Sequence, residues 1–475
     1  MPGAGRGCNR SANGPVYSSG SGGWASRPER DHRPHAGGET PSISCALLTH
    51  SFHLVLVSRL SVRTALFSLV VLVSINLGAA HAQDPDSAAV RAAFDSIVTA
   101  STYTATLEEG RLTGPGADWL EARGQEVDHF LMSERHGTVQ IPAVAASLYE
   151  RLADDGYGPV ALEIGPFAAQ AADEALQQGG YPALKRLITR YGGPPIPFLH
   201  MSEEARMANR MAKAGATIWG IDYEFIFSLP MHLDALAEQA ETEHERAAVE
   251  HARKQMNDQW GGEAGPAVAA APPSALEDLR AAFAPRGDEH ALARIDALME
   301  SNAIYAPYVR GTGSFFESRT RRENLMKTQL AEHIRDWEAK QGEAPNVFHK
   351  NAHTSKLHRE DLYVPLGGFM AEWARVRGEE TFHVLADCHG GSIPKTGQGG
   401  GGECTAWFGG ANSPLADHLR EDRITIIDLR ALRPRYFDWD FLPDEVREGI
   451  VATDVYIAIP DVRPAEPLNP VPRGQ

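Results

Sequence analysis

From about residue 127 onward, short apolar runs alternate with amphipathic stretches. The runs "VDHFLM", "GPVALE", "ATIWGID", "NVFHKNAH", "TFHVLAD", "RITIIDL" and "DVYIAI" have the length and composition of strands. Between the first two lies "VQIPAVAASLYERLADDG", where Val144, Leu148 and Leu152 recur every four residues. Pro142 stands in its first turn and Gly156 follows its end, so the pattern predicts a helix. A further helix surrounds Glu203 to Ala214. Strands that alternate with helices imply βαβ units, hence an α/β fold with a mostly parallel central sheet flanked by helices.

Two regions break the alternation. Residues 231–302 are helical and rich in Ala, Glu and His, interrupted by "GGEAGPAVAAAPPS", and residues 312–340 read as one long helix. Together they predict an inserted helical subdomain over about 231–340 of a domain spanning 83–460. Residues 83–126 read as a helical lead-in, and 461–475 as a Pro-rich tail.

The first 82 residues have another character. Residues 1–58 are dominated by Gly, Ser, Pro and Arg up to residue 46 and cannot bury enough surface to offset chain entropy. Over 59–82, Arg59 and Arg63 precede an apolar run from Thr64 to Gly78 and the small-residue sequence Ala80-His81-Ala82. This order predicts a secretory signal peptide cleaved near Ala82 and a secreted or periplasmic protein, with a start downstream of Met1. The run is shorter than the roughly 20 residues of a spanning helix, so no stable membrane anchor is expected after cleavage.

The formal net charge of the chain is −17, and residues 83–475 carry 38 basic against 59 acidic residues. That balance disfavours nucleic acid and anionic membranes as partners and leaves a small-molecule substrate. It does not specify an oligomeric state. Beyond residue 82 the cysteines are Cys388 and Cys404, at the ends of "CHGGSIPKTGQGGGGEC". In an oxidising compartment they read as one disulfide closing a Gly-rich loop; the other reading is a metal site that also uses His389. The run Gly397–Gly402 lacks the Lys-Ser/Thr of a phosphate loop and reads as a mobile flap.

The chemistry gathers at strand ends. Glu134 and His136 follow "DHFLM", Glu163 closes "PVALE", Asp222 closes "IWGID", Asn351 and His353 follow "NVFHK", and Asp387 and His389 follow "FHVLA". In an open α/β sheet, ligands bind outside the carboxyl ends of the strands, so all five sets are expected on one edge. A histidine near a helix N-terminus favours its neutral form, able to take a proton from water, with a carboxylate to orient it. No Gly-x-Ser-x-Gly elbow is present. Other residues receive plainer readings. His383, mid-strand, is a core or hydrogen-bonded histidine; His244, His251 and His290 are solvated; Trp219, Phe225 and Phe227 are core.

The segments "SERHGT", "ALEIGP", "WGIDYE", "RRENLMKTQ" and "HKNAH" resemble, in order and style, those of the erythromycin esterase-like family over roughly residues 125–430. The resemblance implies a hydrolase acting on an ester or lactone, with His136 as general base and Glu134, Glu163 and His353 completing the catalytic set. It places Arg322 and Glu323 on the inserted helix facing the cleft, beside Asp222 and Asn351 as substrate-binding residues. Ser133 stands where the family has glycine, and Lys350 separates His349 from Asn351. The short Glu-x-His spacing is similar to the wider superfamily of haem-binding ChaN-like proteins and TraB/Tiki-type metal-dependent proteases. The alternatives are therefore a non-enzymatic haem or metal binder and a metal-dependent peptidase. Glu134, His136, Glu163 and His353 are of ligand type, but the His-Glu-x-x-His spacing of common zinc hydrolases is missing, so no cofactor is required by this reading.

Overall fold

A computed structural model describes Pro85–Asn469, apart from residues 192–193, 260–266, 310, 312–314, 358–362, 395–400, 405, 407, 409 and 411–412. The expected leader (1–58), the expected signal peptide (59–82) and most of Gly397–Gly402 lie outside the described residues. The chain opens with helix α1 (Pro85–Ala100), strands β1 (Thr102–Glu108) and β2 (Arg111–Thr113), and α2 (Pro115–Gly124). It continues through β3 (His129–Glu134), α3 (Gln140–Leu152), β4 (Tyr157–Leu162), α4 (Pro166–Arg190), α5 (Ser202–Lys213) and β5 (Thr217–Gly220). Six helices follow: α6 (Leu229–Gln239), α7 (Glu243–Gln259), α8 (Ala267–Ala270), α9 (Pro273–Phe283), α10 (Glu289–Val309) and α11 (Phe315–Gln341). The chain then forms β6 (Asn346–Lys350), α12 (Leu366–Arg377), β7 (Thr381–Pro394), β8 (Gly401–Glu403), β9 (Ile424–Asp428), α13 (Asp444–Ala452) and β10 (Val455–Val462).

The strands form one sheet in the order β2-β1-β9-β10-β7-β3-β6-β4-β5, with β8 folded back on β7. Every neighbour pair from β10 to β5 is parallel. The other end is antiparallel, where β9 pairs with β10 and β1. Two sequence readings change accordingly. "RITIIDL" is a strand of the antiparallel end, and the lead-in is only partly helical. Its "TYTATLEEGRLT" is a hairpin with Glu108 opposite Arg111. Glu109 and Gly110 both have positive φ (48° and 77°), the two-residue turn whose twist suits flanking strands.

A parallel strand is covered on both faces, which is why β3 is buried at all six positions. Phe130 and Met132 face one layer, which includes Leu148 of α3 and Met207 and Met211 of α5. Leu131 faces the other, against Met326, Leu330 and Ile334 of α11 and Leu366 and Met370 of α12. The helices between β5 and β6 carry a core of their own around Leu233, Leu279, Phe283 and Ile295. Trp219 packs into the sheet's core, stacked on His333 with ring centroids 5.0 Å apart. His244, His251 and His290 are exposed, and Phe225 and Phe227 are half-buried against each other. Among the described residues no helix is long and apolar enough to cross a membrane.

The tail departs most from expectation. Residues 463–468 run along the molecule in extended form, with bridges Thr138–Pro464 and Met201–Pro467. Its composition is that of a loose end, but its backbone groups are hydrogen-bonded to two loops.

Close packing at the end of β5 gives a test. A Cβ on Gly220 would sit 2.3 Å from the Gly165 carbonyl oxygen. Backbone cannot yield as a side-chain tip can, so Gly220→Ala should lose about 1–3 kcal/mol of stability in a urea titration, as overpacking does.

Candidate active site

The first pair comes from the end of β3 and the loop that follows it. Glu134 is the last residue of the strand, and His136 stands two residues on, in the loop. Gly137, at φ 81°, then turns the chain, a conformation that favours glycine. His136 Nδ1 lies 3.1 Å from Glu134 Oε1, and its Nε2 lies 3.3 Å from Glu163 Oε2. From the loop after β6, His353 repeats the arrangement. Its Nδ1 is hydrogen-bonded to Glu323 Oε1, and its Nε2 lies 3.3 Å from Glu163 Oε1. The two imidazoles thus meet the two oxygens of one carboxylate.

The chain of charges extends further. Lys350 Nζ donates to Glu134 Oε1 at 2.5 Å and to Glu204 Oε2 at 2.8 Å. Glu204, Lys350, Glu134, His136, Glu163, His353 and Glu323 therefore form one row of alternating sign. Arg322 joins at the centre. Its NH2 donates to Glu163 Oε1 at 2.6 Å, and its Nε to Asp222 Oδ1 at 3.0 Å. The Ala352 N–H donates to Glu163 Oε2 at 3.0 Å.

Alternation controls protonation. Burial alone would push the His136 imidazole down, but Glu163 and Glu134 outweigh it and lift it to about 10. His353 rises likewise to about 9, burial being overcome by Glu163 and Glu323. Burial opposes charge on Glu163 too, yet His136 and His353 hold it well below the usual carboxylate range. Burial would lower Lys350, but Glu134 and Glu204 raise it to about 12. Glu204, at the end of the row, is pushed up because burial exceeds the pull of Lys350. The expectation of a neutral imidazole from the helix dipole is thus reversed. A partial charge one turn away is weaker than two full carboxylates in contact.

The residues named from sequence divide by exposure. The side chain of His136 is 30% exposed and that of Arg322 20%, whereas Glu134 and Glu323 are each 1% exposed. Glu134 and Glu323 hold rings from behind. Asp222 is buried and anchors Arg322. Asn351 is fully buried and its Oδ1 accepts the His353 N–H at 2.9 Å, so it shapes the turn that carries His353. Asp222, Glu323 and Asn351, named from sequence as substrate-binding residues, are thus buried and bonded to protein groups. Asp387 belongs to the same edge but not to the row: it accepts from Arg135 Nε at 2.8 Å. His389 sits further along β7, opposite Pro460. His383 is a hydrogen-bonded core histidine, with Nδ1 2.7 Å from the Thr354 carbonyl oxygen. His349 is fully buried, and burial holds it well below its usual value.

Lys350 and Glu204 are the members that the sequence reading missed. Cys388 and Cys404 form a disulfide. With Asp387 they make the one trio, among the described residues, whose ligand-type atoms lie within 4.8 Å of one another. Glu134, His136, Glu163 and His353 are spaced as successive ion pairs and do not converge on a common point. A cavity of about 500 Å³ lined by Lys356, Arg375 and Glu380 shares no residue with the row.

No family model and no curated protein matches the sequence. Solved structures do. An erythromycin esterase variant, EreC in its open conformation, matches with TM-score 0.52 at 14% identity, over 78% of this chain and 100% of that one. A succinoglycan biosynthesis protein matches with TM-score 0.53 at 14% identity, over 80% and 99%. A Bacillus cereus protein matches with TM-score 0.50 at 12% identity, over 78% and 98%. The fold is erythromycin esterase-like. At these identities the likeness is one of fold, and the erythromycin esterase-like scaffold brings the strand ends together whatever chemistry they carry.

Two outcomes test the row. Lys350→Met leaves Glu134 facing Glu204 without a cation and should cost about 3 kcal/mol in urea denaturation, with part recovered by adding Glu204→Gln. The histidines set a pH dependence. Both are raised above their ordinary 6.5, so their stabilisation is complete below that value. It should drain as pH rises through about 9 and 10. Glu134 and Glu163 are lowered, so their share is lost as pH falls below the usual carboxylate range. Urea midpoints measured across the pH range should decline at both ends, and His136→Asn should flatten the alkaline decline.

Proposed function

We propose that the protein is a hydrolase that opens an ester or lactone with water activated by its own side chains. One observation carries this reading: His136 and His353 aim their Nε2 atoms at the two oxygens of Glu163, each ring locked from behind by a separate carboxylate. Two imidazoles that share one anion form an acid–base pair once one of them has lost its proton.

His353, at about 9, yields its proton before His136, at about 10, so the working form is the minor tautomer whose remaining proton sits on His353. In it neutral His136, the more exposed ring, takes a proton from water as the oxygen adds to the carbonyl carbon. Arg322 and the protonated His353 face the charge that develops on the former carbonyl oxygen. As the bond from carbon to the alkoxy oxygen breaks, His353 passes its proton to the leaving oxygen. The products are a carboxylic acid and an alcohol, joined in one molecule when the substrate is a lactone. Glu163 stays ionised throughout and balances whichever ring is charged. The reading requires neither metal nor cofactor.

The disulfide between Cys388 and Cys404 fits an oxidising compartment. It is consistent with export directed by the segment that ends near Ala82.

The test is turnover of an ester and lactone panel by the full chain, with and without chelator. The rate should follow a bell against pH, rising to a first value near 9 and falling beyond one near 10, the values of the coupled pair. His136→Asn and His353→Asn should each lower kcat by about 10²–10⁴-fold, with circular dichroism unchanged. Equal turnover by His136→Asn and the parent chain would refute the assignment. Loss of activity with chelator, restored by a defined divalent ion, would replace it with metal-dependent hydrolysis.

A further inference from the structure

Phe198 occupies the left-handed region, with φ 59°. Its ring stacks on that of His136, with centroids 4.2 Å apart and planes at 26°. A bulky residue in that conformation is strained and persists only where the surroundings enforce it. Part of the enforcement is local: the Met201 N–H donates to the Phe198 carbonyl at 2.7 Å.

The rest comes from the far end of the chain. On one side, the Leu468 N–H donates to the His200 carbonyl at 2.8 Å, and the Glu466 carbonyl accepts the Ser202 N–H at 2.8 Å. On the other side, the Ala465 N–H donates to the Gly137 carbonyl at 2.8 Å, and the Arg463 carbonyl accepts the Val139 N–H at 2.8 Å. The Arg463 N–H is taken by Gln140 Oε1 at 2.9 Å, and the Glu466 N–H by Glu203 Oε2 at 3.0 Å. Four N–H groups of the segment are thus used, at 463, 465, 466 and 468. Prolines, which have none to give, stand at 464 and 467. The proline spacing is that of a strap bonded along both edges.

We propose that Arg463–Leu468 is a positioning element of the active site, fastening the loop that carries His136 to the loop that presses Phe198 against its ring. The inference rests on the reading of His136 as the base. A base needs its Nε2 fixed to within about an ångström, and misplacement on that scale costs about 10²-fold in rate. Gly137, next to His136, is the natural swivel, and the strap bonds its carbonyl directly. Phe198 and the strap act through His136, so they are positioning residues.

The experiment uses the full chain with Phe198→Ala, Phe198→Tyr, Gln140→Ala and Ala465→Pro. The readouts are kcat and KM on the ester substrate and the NMR resonances of the His136 ring protons, assigned by their loss in His136→Asn. A stacked aromatic shifts those protons upfield. Phe198→Ala should abolish the shift and lower kcat by on the order of 10- to 100-fold, while KM stays within about twofold. Phe198→Tyr should restore both. Ala465→Pro removes one strap donor, and Gln140→Ala removes the partner of another; each should diminish the shift and kcat together. If Ala465→Pro fails to fold, Gln140→Ala decides the matter alone. The proposal is overturned if Gln140→Ala leaves resonances and kcat unchanged, or if Phe198→Ala raises KM alone, which would make the ring a substrate contact. Should no variant and no parent chain turn over any ester while the resonances still move as described, the positioning stands and the hydrolase reading falls.

Discussion

A carboxylate buried at the edge of the sheet sets the terms for everything around it. Glu163 is 5% exposed, and an ionised carboxylate in such a place is tolerated only when it is paired and hydrogen-bonded. Its partners come from three directions: His136 from the loop after β3, His353 and the Ala352 N–H from the loop after β6, and Arg322 from helix α11. Satisfying one buried charge therefore ties the inserted helices to the sheet. It also protonates both histidines and draws one to each of its two oxygens. Structural and chemical roles coincide because the same ion pairs serve both.

Burying one anion recruits cations that must be balanced in turn. His136 calls for Glu134, Glu134 for Lys350, and Lys350 for Glu204; on the other side His353 calls for Glu323. The row ends at Glu204, which shares Lys350 with Glu134, and there burial outweighs the pull of the lysine and pushes the carboxyl up. This explains how an acidic protein presents imidazolium and guanidinium groups at the edge of its sheet. The carboxylates are present in greater number but sit behind the cations, with side chains at most 6% exposed.

The parallel strands and the edge where their ends converge were legible because both are written in local pattern. Apolar runs end in Glu134, Glu163, Asp222 and His353, and parallel pairing brings those ends together without further information. Lys350 and Glu204 were equally available. Lys350 shares its strand face with buried Phe348, a position where a lysine must find an anion. In α5 the buried positions 204, 207, 208 and 211 follow helical spacing, and Glu204 is the charged member of that stripe. The strap was not legible from composition, since prolines report only which N–H groups are missing. Which carbonyls the remaining donors find depends on loops more than 250 residues away in sequence.

The inserted helix α11 shows how far packing reaches into chemistry. Met326, Leu330 and Ile334, four residues apart, bury one stripe against Leu131 and Trp219 of the sheet. Arg322 and Glu323 lie one turn before the first of them, so the depth at which that stripe seats fixes where both reach the row. Arg322 goes to Glu163 and Asp222, while Glu323 goes to His353 and also accepts the Leu366 N–H at 2.9 Å. A slip of a single residue would turn the helix by about 100° and carry both groups off the row. The apolar register of α11 thus determines the ionic register of half the site.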